Sequence, residues 1–147
     1  MTRKLDYLVI GGGVAGLTFA LKAADHGSVG ILTKRARQEG NTQYAQGGIA
    51  SVLSAADSFE EHIQDTLVAG AGLCHEDAVA VTVKEGPDRI RELIQLGAQF
   101  NRRANGELDL TREGGHSKRR IVHAGDITGR ELQRALLAAC DEKKNIT

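Results

Sequence analysis

Three glycines at fixed spacing, Gly11, Gly13 and Gly16, stand between an apolar run and a helical pattern. Leu8-Val9-Ile10 precedes them, and Val14-Ala15-Gly16-Leu17 carries the chain into the helix. A strand, a tight turn and a helix in this order hold a dinucleotide pyrophosphate. Gly11 permits the turn. Gly13 lacks a Cβ, so phosphates can come close to the backbone. Gly16 lets the helix lie against the strand. The phosphates would then meet unpaired N–H groups at the positive end of the helix. A glycine-rich turn without a ligand shares this spacing. The preceding strand, the following helix and the N-terminal position favour phosphate binding.

The end of the next strand tests which dinucleotide is meant. A plain NAD site has an acidic residue there for the ribose hydroxyls. This chain has Ile31-Leu32-Thr33-Lys34-Arg35, with two cations in place of the acid. That argues against simple NAD binding. It permits NADP, a flavin site that holds its ribose differently, or a solvated basic turn. The loop Gly40-Asn41-Thr42-Gln43-Tyr44-Ala45-Gln46-Gly47-Gly48-Ile49 follows. Its backbone N–H groups, amides and hydroxyl could wrap a flat heteroaromatic ring and bond its edge. A plain surface loop fits the same residues.

Alternating elements must position these groups. The pattern predicts a strand over 5–10, a helix over 14–25 with Leu17, Ala20, Leu21 and Ala24 inward, and a strand over 29–33. Gly27 is a plausible stop for that helix. Strand, helix and strand within about thirty residues form a βαβ unit. The chain therefore reads as α/β, a Rossmann-like domain with a parallel sheet. Residues 34–48 read as a long polar loop and Ile49–Leu53 as a short strand. Ser58 and Glu61 form a capping box before a helix with Phe59, Ile63 and Leu67 inward; Gly70-Ala71-Gly72 ends it. Residues 77–96 read as two helical pieces broken or bent at Gly86-Pro87, with Ile90, Leu93 and Ile94 inward and Gly97 as the stop. Asn105-Gly106 reads as a hairpin turn and Ile121–Ala124 as a strand. Thr128 and Glu131 form a second capping box, opening a helix with Leu132, Ala135, Leu136 and Ala139 inward.

Composition removes several function classes. The chain has 147 residues, one domain's worth, with 19 basic and 19 acidic side chains. That balance implies no nucleic-acid partner or other polyanion. Cys74 and Cys140 match no metal or redox spacing and read as reduced thiols of an intracellular protein. No apolar stretch reaches spanning length, so no membrane is expected. Met1-Thr2-Arg3-Lys4 leads directly into the first strand and leaves no room for a signal peptide; a cytoplasmic location is expected.

Taken together, Gly11–Gly16, Thr33-Lys34 and Asn41–Gly48 resemble the succinate dehydrogenase/fumarate reductase flavoprotein family. Within it they look most like the branch that oxidises L-aspartate. Asp65–Gly72, Thr111–Ser117 and Arg120–Arg130 extend the resemblance over nearly the whole chain in the same order. It implies FAD as cofactor, with Gly11, Gly12, Gly13, Val14, Ala15 and Gly16 at the pyrophosphate and Lys34 near the adenosine ribose. Asn41, Thr42, Gln43, Tyr44, Ala45, Gln46, Gly47 and Gly48 would line the isoalloxazine ring. Relatives that bind FAD covalently place a histidine where Asn41 stands. An amide cannot form that bond, so non-covalent FAD is implied. Glu113, in Arg112-Glu113-Gly114-Gly115-His116-Ser117, would orient the substrate through its ammonium group; a charge-assisted hydrogen bond suits that task. His116 and His123 receive no catalytic role.

The implied reaction is FAD-dependent oxidation of L-aspartate to iminoaspartate, the first step of NAD biosynthesis. Oxygen or fumarate would accept the electrons, and quinolinate synthase would consume the imine. A soluble fumarate reductase or succinate dehydrogenase flavoprotein is the alternative, and a non-catalytic flavin-binding fragment another. Family members run to several hundred residues. Residues 1–147 are thus expected to be the N-terminal part of the FAD-binding domain, inactive alone, without the capping and C-terminal helical domains.

Overall fold

The computed structural model describes residues 3–147. Met1 and Thr2, part of the N-terminal stretch considered for a signal peptide, lie outside the described residues. The glycine motif sits where a βαβ unit requires it. Strand β1 (Tyr7–Ile10) leads into helix α1 (Val14–Ala23), and β2 (Val29–Leu32) returns parallel to β1 with Tyr7 opposite Val29 and Ile10 opposite Leu32. Gly11 takes φ +111° at the turn, a conformation open mainly to glycine. A Cβ on Gly16 would overlap the carbonyl oxygen of Gly11, so helix and strand touch backbone to backbone there.

Residues 145–147 line the other edge of β2. The Val29 and Ile31 N–H groups donate to the carbonyls of Asn145 and Thr147, both at 2.8 Å, and Thr147 N–H returns to Val29 at 2.9 Å. One face of this sheet is covered. Val9 and Val29 pack with Ala20, Ala23 and Ala24. Helix α5 (Thr128–Glu142) lies beside α1, closing a second cluster of Leu17, Leu21, Leu136, Leu137 and Cys140. The other face is bare: Leu8 is 60% exposed, Ile10 81% and Leu32 57%. Alternation along a strand sends Leu8 and Ile10 to the side opposite Val9.

The second half is built around an antiparallel sheet. Strands β3 (Ile49–Ala50), β4 (Leu110–Thr111) and β5 (Ile121–Val122) take the order β3-β5-β4. Ile90, Ala98, Phe100, Leu110, Val122, Leu132 and Ala135 form its core, between the sheet, α5 and helix α4 (Glu76–Gln95). Helix α3 (Phe59–Ala69) runs before α4, and the short α2 (Asn41–Tyr44) lies within the polar loop.

The elements follow the sequence pattern, with several differences. A short helix, α2, interrupts the loop expected over 34–48, and β3 and β5 stop at Ala50 and Val122, short of the expected Leu53 and Ala124. Helix α4 is continuous through Gly86-Pro87 where a break or bend was expected. Val83, Pro87 and Ile90 are all buried on one face, and that packing carries the helix across the N–H that proline lacks. Gly86 meanwhile fits against Ser51, whose Oγ would lie 3.1 Å from a Cβ. Strand β4 had no sequence signal; two residues are too few for a period. The apolar positions Phe59, Ile63 and Leu67 are only half-buried, while His62 is the buried residue of α3. The second capping box does not form. Ser58 does cap α3, its Oγ accepting from Glu61 N–H at 3.1 Å. Thr128 instead lies inside α5, with Ile127 at the cap, and Glu131 accepts from Gln99 N–H at 2.7 Å.

Substituting Gly16→Ala should force α1 away from the strand–helix turn. The expected loss is about 1–3 kcal/mol or more, the range for overpacked sites. Urea unfolding of the variant beside the parent chain measures it; an unchanged midpoint would show that the helix–strand contact can relax.

Candidate functional site

The N-terminus of α1 offers unpaired donors. Gly13 is the cap residue and contributes no side chain; the helix's own hydrogen bonds begin with Leu17 N–H to Gly13 O at 3.0 Å. The N–H groups of the preceding residues therefore point out of the helix end. Val14 N–H is met by Thr42 Oγ1 at 3.1 Å. That hydroxyl also lies 3.2 Å from where a Gly13 Cβ would stand. The glycine turn and the Asn41–Gly48 loop, read separately from sequence, are thus neighbours. Lys34 is exposed just past β2. Its neighbour Thr33 reaches Gly12, where a Cβ would be 2.9 Å from the Thr33 methyl.

Helix α5 holds both pieces in place. Gly129 N–H donates to Ala45 O at 3.1 Å, and a Cβ at Gly129 would overlap the Thr42 carbonyl oxygen. The buried Thr128 hydroxyl donates to Gly47 O and accepts from Ala124 N–H at 3.1 Å. Gln133 Nε2 donates to Gly12 O at 2.8 Å and to Arg37 O at 3.1 Å. Sequence reasoning missed Thr128, Gly129 and Gln133 as parts of the site. Gly129 carried the one usable signal, since a glycine in the first turn of a helix costs stability unless another backbone must come close.

Glu113 belongs to the same surface. It is exposed, and its Oε1 lies 3.1 Å from where a Cβ on Gly47 would stand. Gly47 has φ +75°. The Glu113 carboxylate therefore stands directly over the loop. His116 closes the turn, its N–H donating to Glu113 O at 3.3 Å. Its ring turns away to His62, 5.6 Å between centroids. His123 points elsewhere, with Nε2 3.9 Å from Asp109 Oδ2.

Behind the Glu113 turn lies a buried ion cluster. Arg120 is fully buried. Its guanidinium makes two bonds to Asp57, at 2.9 and 2.7 Å, and one to Asp65 Oδ2 at 2.8 Å. The Asp57 side chain is itself 1% exposed. Ser117 donates both its N–H and its hydroxyl to Asp65 Oδ2, each at 2.7 Å. Burial works against the Asp65 charge, but these donors outweigh it and hold the carboxyl below its ordinary range. His62 sits beside the cluster. Burial, then the Arg120 charge and His116, push its pKa down. A cleft of about 1050 Å³ borders this cluster, lined by Leu53, Asp57, Ile90, Leu108, Arg112 and Ser117, and does not include the glycine turn.

Comparison with known proteins agrees with this geometry. A family model described as FAD binding domain matches residues 6–147. The chain belongs to the FAD-binding domain family. An L-aspartate oxidase of Nicotiana tabacum, named as chloroplastic, is 56% identical over 146 residues, covering 99% of this chain and 22% of that protein. An L-aspartate oxidase of Acinetobacter baylyi is 44% identical, covering 99% and 27%. A variant E. coli quinol fumarate reductase FrdA superposes with TM-score 0.91 at 30% identity, covering all of this chain and 26% of that one. The chain thus spans about a quarter of the length of these relatives.

The residues present fit the diphosphate of FAD. The glycine turn leaves room where side chains would intrude, and the helix end presents donors already able to hold an oxygen, as Thr42 shows. Both cysteines are free. Among the described residues no helix is long and apolar enough to cross a membrane, and no cluster of three or more His, Cys, Asp or Glu side chains could hold a metal.

His62 should make stability depend on pH. Its folded pKa lies below the ordinary value of 6.5. The unfolded chain then binds a proton that the folded chain resists, so stability is full above about pH 6.5 and falls as pH drops through that value. The Asp65 contribution is lost only further down, below the ordinary value of 3.8. Denaturant midpoints measured from pH 7.5 to 5 should decline for the parent chain and flatten for His62→Phe. Equal slopes for the two would assign the decline to other groups.

Proposed function

We propose that this chain forms the nucleotide-binding part of a flavoenzyme that oxidises L-aspartate to iminoaspartate. The observation that carries the reading is the placement of the Glu113 carboxylate over Gly47, on the surface formed by the Asn41–Gly48 loop. Gly11 to Gly16 would hold the FAD pyrophosphate, Lys34 would lie near the adenosine ribose, and Asn41 to Gly48 would border the flavin ring. Bound FAD supplies the two-electron acceptor for the substrate's α-hydrogen. Glu113 meets the ammonium group, which distinguishes aspartate from succinate, and so orients Cα towards the ring. A carboxylate there stabilises a cation and disfavours a dicarboxylate without one.

The names of the relatives support this reading, and so does the absence of histidine at position 41. With asparagine there, the flavin would be held without a covalent bond. The remaining walls of the substrate site, from a capping domain and a helical domain, would come from segments outside residues 1–147. Oxygen or fumarate would take the electrons, and quinolinate synthase would consume the imine in the cytoplasm. The likeness to a fumarate reductase keeps reduction of fumarate as the second reading.

Two experiments on the complete flavoenzyme decide between these readings. Acid precipitation should release all flavin into the supernatant; yellow colour left in the washed pellet would contradict non-covalent binding. Glu113→Gln should weaken L-aspartate oxidation about 10- to 100-fold, the worth of a hydrogen bond to a charged group, while fumarate reduction changes far less. Steady-state kinetics with both substrates gives the ratio, and equal losses would remove Glu113 from substrate selection.

A further inference from the structure

The turn bearing Glu113 stands on two feet. One is β4, where Thr111 pairs with Ile121. The other is Ser117, and its anchor is a single oxygen. Asp65 Oδ2 receives the Ser117 N–H, the Ser117 hydroxyl and Arg120 Nη1, all within 2.8 Å. Arg120 cannot drift, because Asp57 grips it at two further points and water does not reach it. Removing Arg120 from such a cluster would leave two carboxylates uncompensated and close together, so the guanidinium holds both in a fixed geometry. The nearby Lys118–Glu61 pair, at 3.2 Å, is largely exposed and weak by comparison. Between the feet the turn is short: His116 N–H closes on Glu113 O, and Gly115 leaves only van der Waals room to Ala69, 3.6 Å from a Cβ.

We propose that Asp65, held by Arg120, is a positioning residue for Glu113. By fixing Ser117 it sets where the Glu113 carboxylate stands over Gly47, and thereby the preference for a substrate that carries an ammonium group. This rests on the reading of Glu113 given above. Asp65 lies on α3 and acts only through the turn. A small displacement suffices, since misplacing an orienting group by about 1 Å can cost on the order of a hundredfold.

The test uses the complete flavoenzyme with Asp65→Asn, Ser117→Ala, Glu113→Gln and the double variant Asp65→Asn/Glu113→Gln. Asp65→Asn keeps an acceptor but loses the charge that draws the three donors together. It should raise KM for L-aspartate about tenfold, leave fumarate reduction within about twofold, and leave flavin content and absorption unchanged. Ser117→Ala keeps the buried ions and should act in the same direction with smaller size, so the answer does not depend on the folding of Asp65→Asn. If Asp65 works through Glu113, the double variant loses no more aspartate preference than Glu113→Gln alone. Additive losses, or equal losses for both substrates, would overturn the proposal. A Glu113→Gln variant that shifts the ratio beside an inert Asp65→Asn and Ser117→Ala overturns the positioning role alone. A Glu113→Gln variant that leaves the ratio unchanged overturns the parent reading and this proposal with it.

Discussion

The site depends on backbones that touch. At Gly16, Gly48 and Gly129 a Cβ would overlap a carbonyl oxygen of another segment. The first contact seats α1 on the strand–helix turn, the second lays the polar loop on β5, and the third presses the same loop against α5. Backbone meets backbone at each, so repacking of side chains cannot absorb an error. The hydrogen bonds of Thr128 and Gln133 then fix what contact leaves free: which way the Gly47 and Gly12 carbonyls point. A peptide whose carbonyl is held from behind has its N–H aimed forwards. That is how a loop made of small polar residues acquires a definite surface without a regular element of its own.

Charge is organised on a similar principle, with the ion cluster inside and the Glu113 carboxylate outside. Arg120 and the Asp57 side chain are buried where pairing is compulsory, with Asp65 part-buried at their edge. Glu113 is exposed. A carboxylate already locked to an arginine would have nothing to offer a substrate cation. The fold thus places Asp57 and Asp65 on the guanidinium, and among the described residues Glu113 makes no ion pair.

The glycine motif could be read from sequence because its glycines answer local demands: a positive φ at Gly11, a helix cap free of side chain at Gly13, and a helix crossing the preceding turn at Gly16. The inward faces of α1 and α5 were legible for the same reason, a period of 3.6 in the apolar residues. Capping boxes show where local reading stops. Ser58-x-x-Glu61 and Thr128-x-x-Glu131 have the same form, yet only the first caps a helix. The difference is tertiary: Thr128 is buried against Gly47, which competes for its hydroxyl, and Ser58 has no such rival. Arg120 escaped for a related reason. In Lys118-Arg119-Arg120 it looks like one of three surface cations. Its partners are 55 and 63 residues away in the chain, and no short pattern announces them.

The pairing of β2 with residues 145–147 bears on how the chain is made. Asn145 reaches back across 121 residues to the Ala24 carbonyl, and its neighbours complete the outer edge of β2. At ribosomal speeds of about 5–20 residues per second, that edge waits on the order of ten seconds for its partner. Throughout this interval the βαβ unit exposes an unpaired strand edge beside the bare apolar face of Leu8, Ile10 and Leu32, a combination prone to edge-to-edge association.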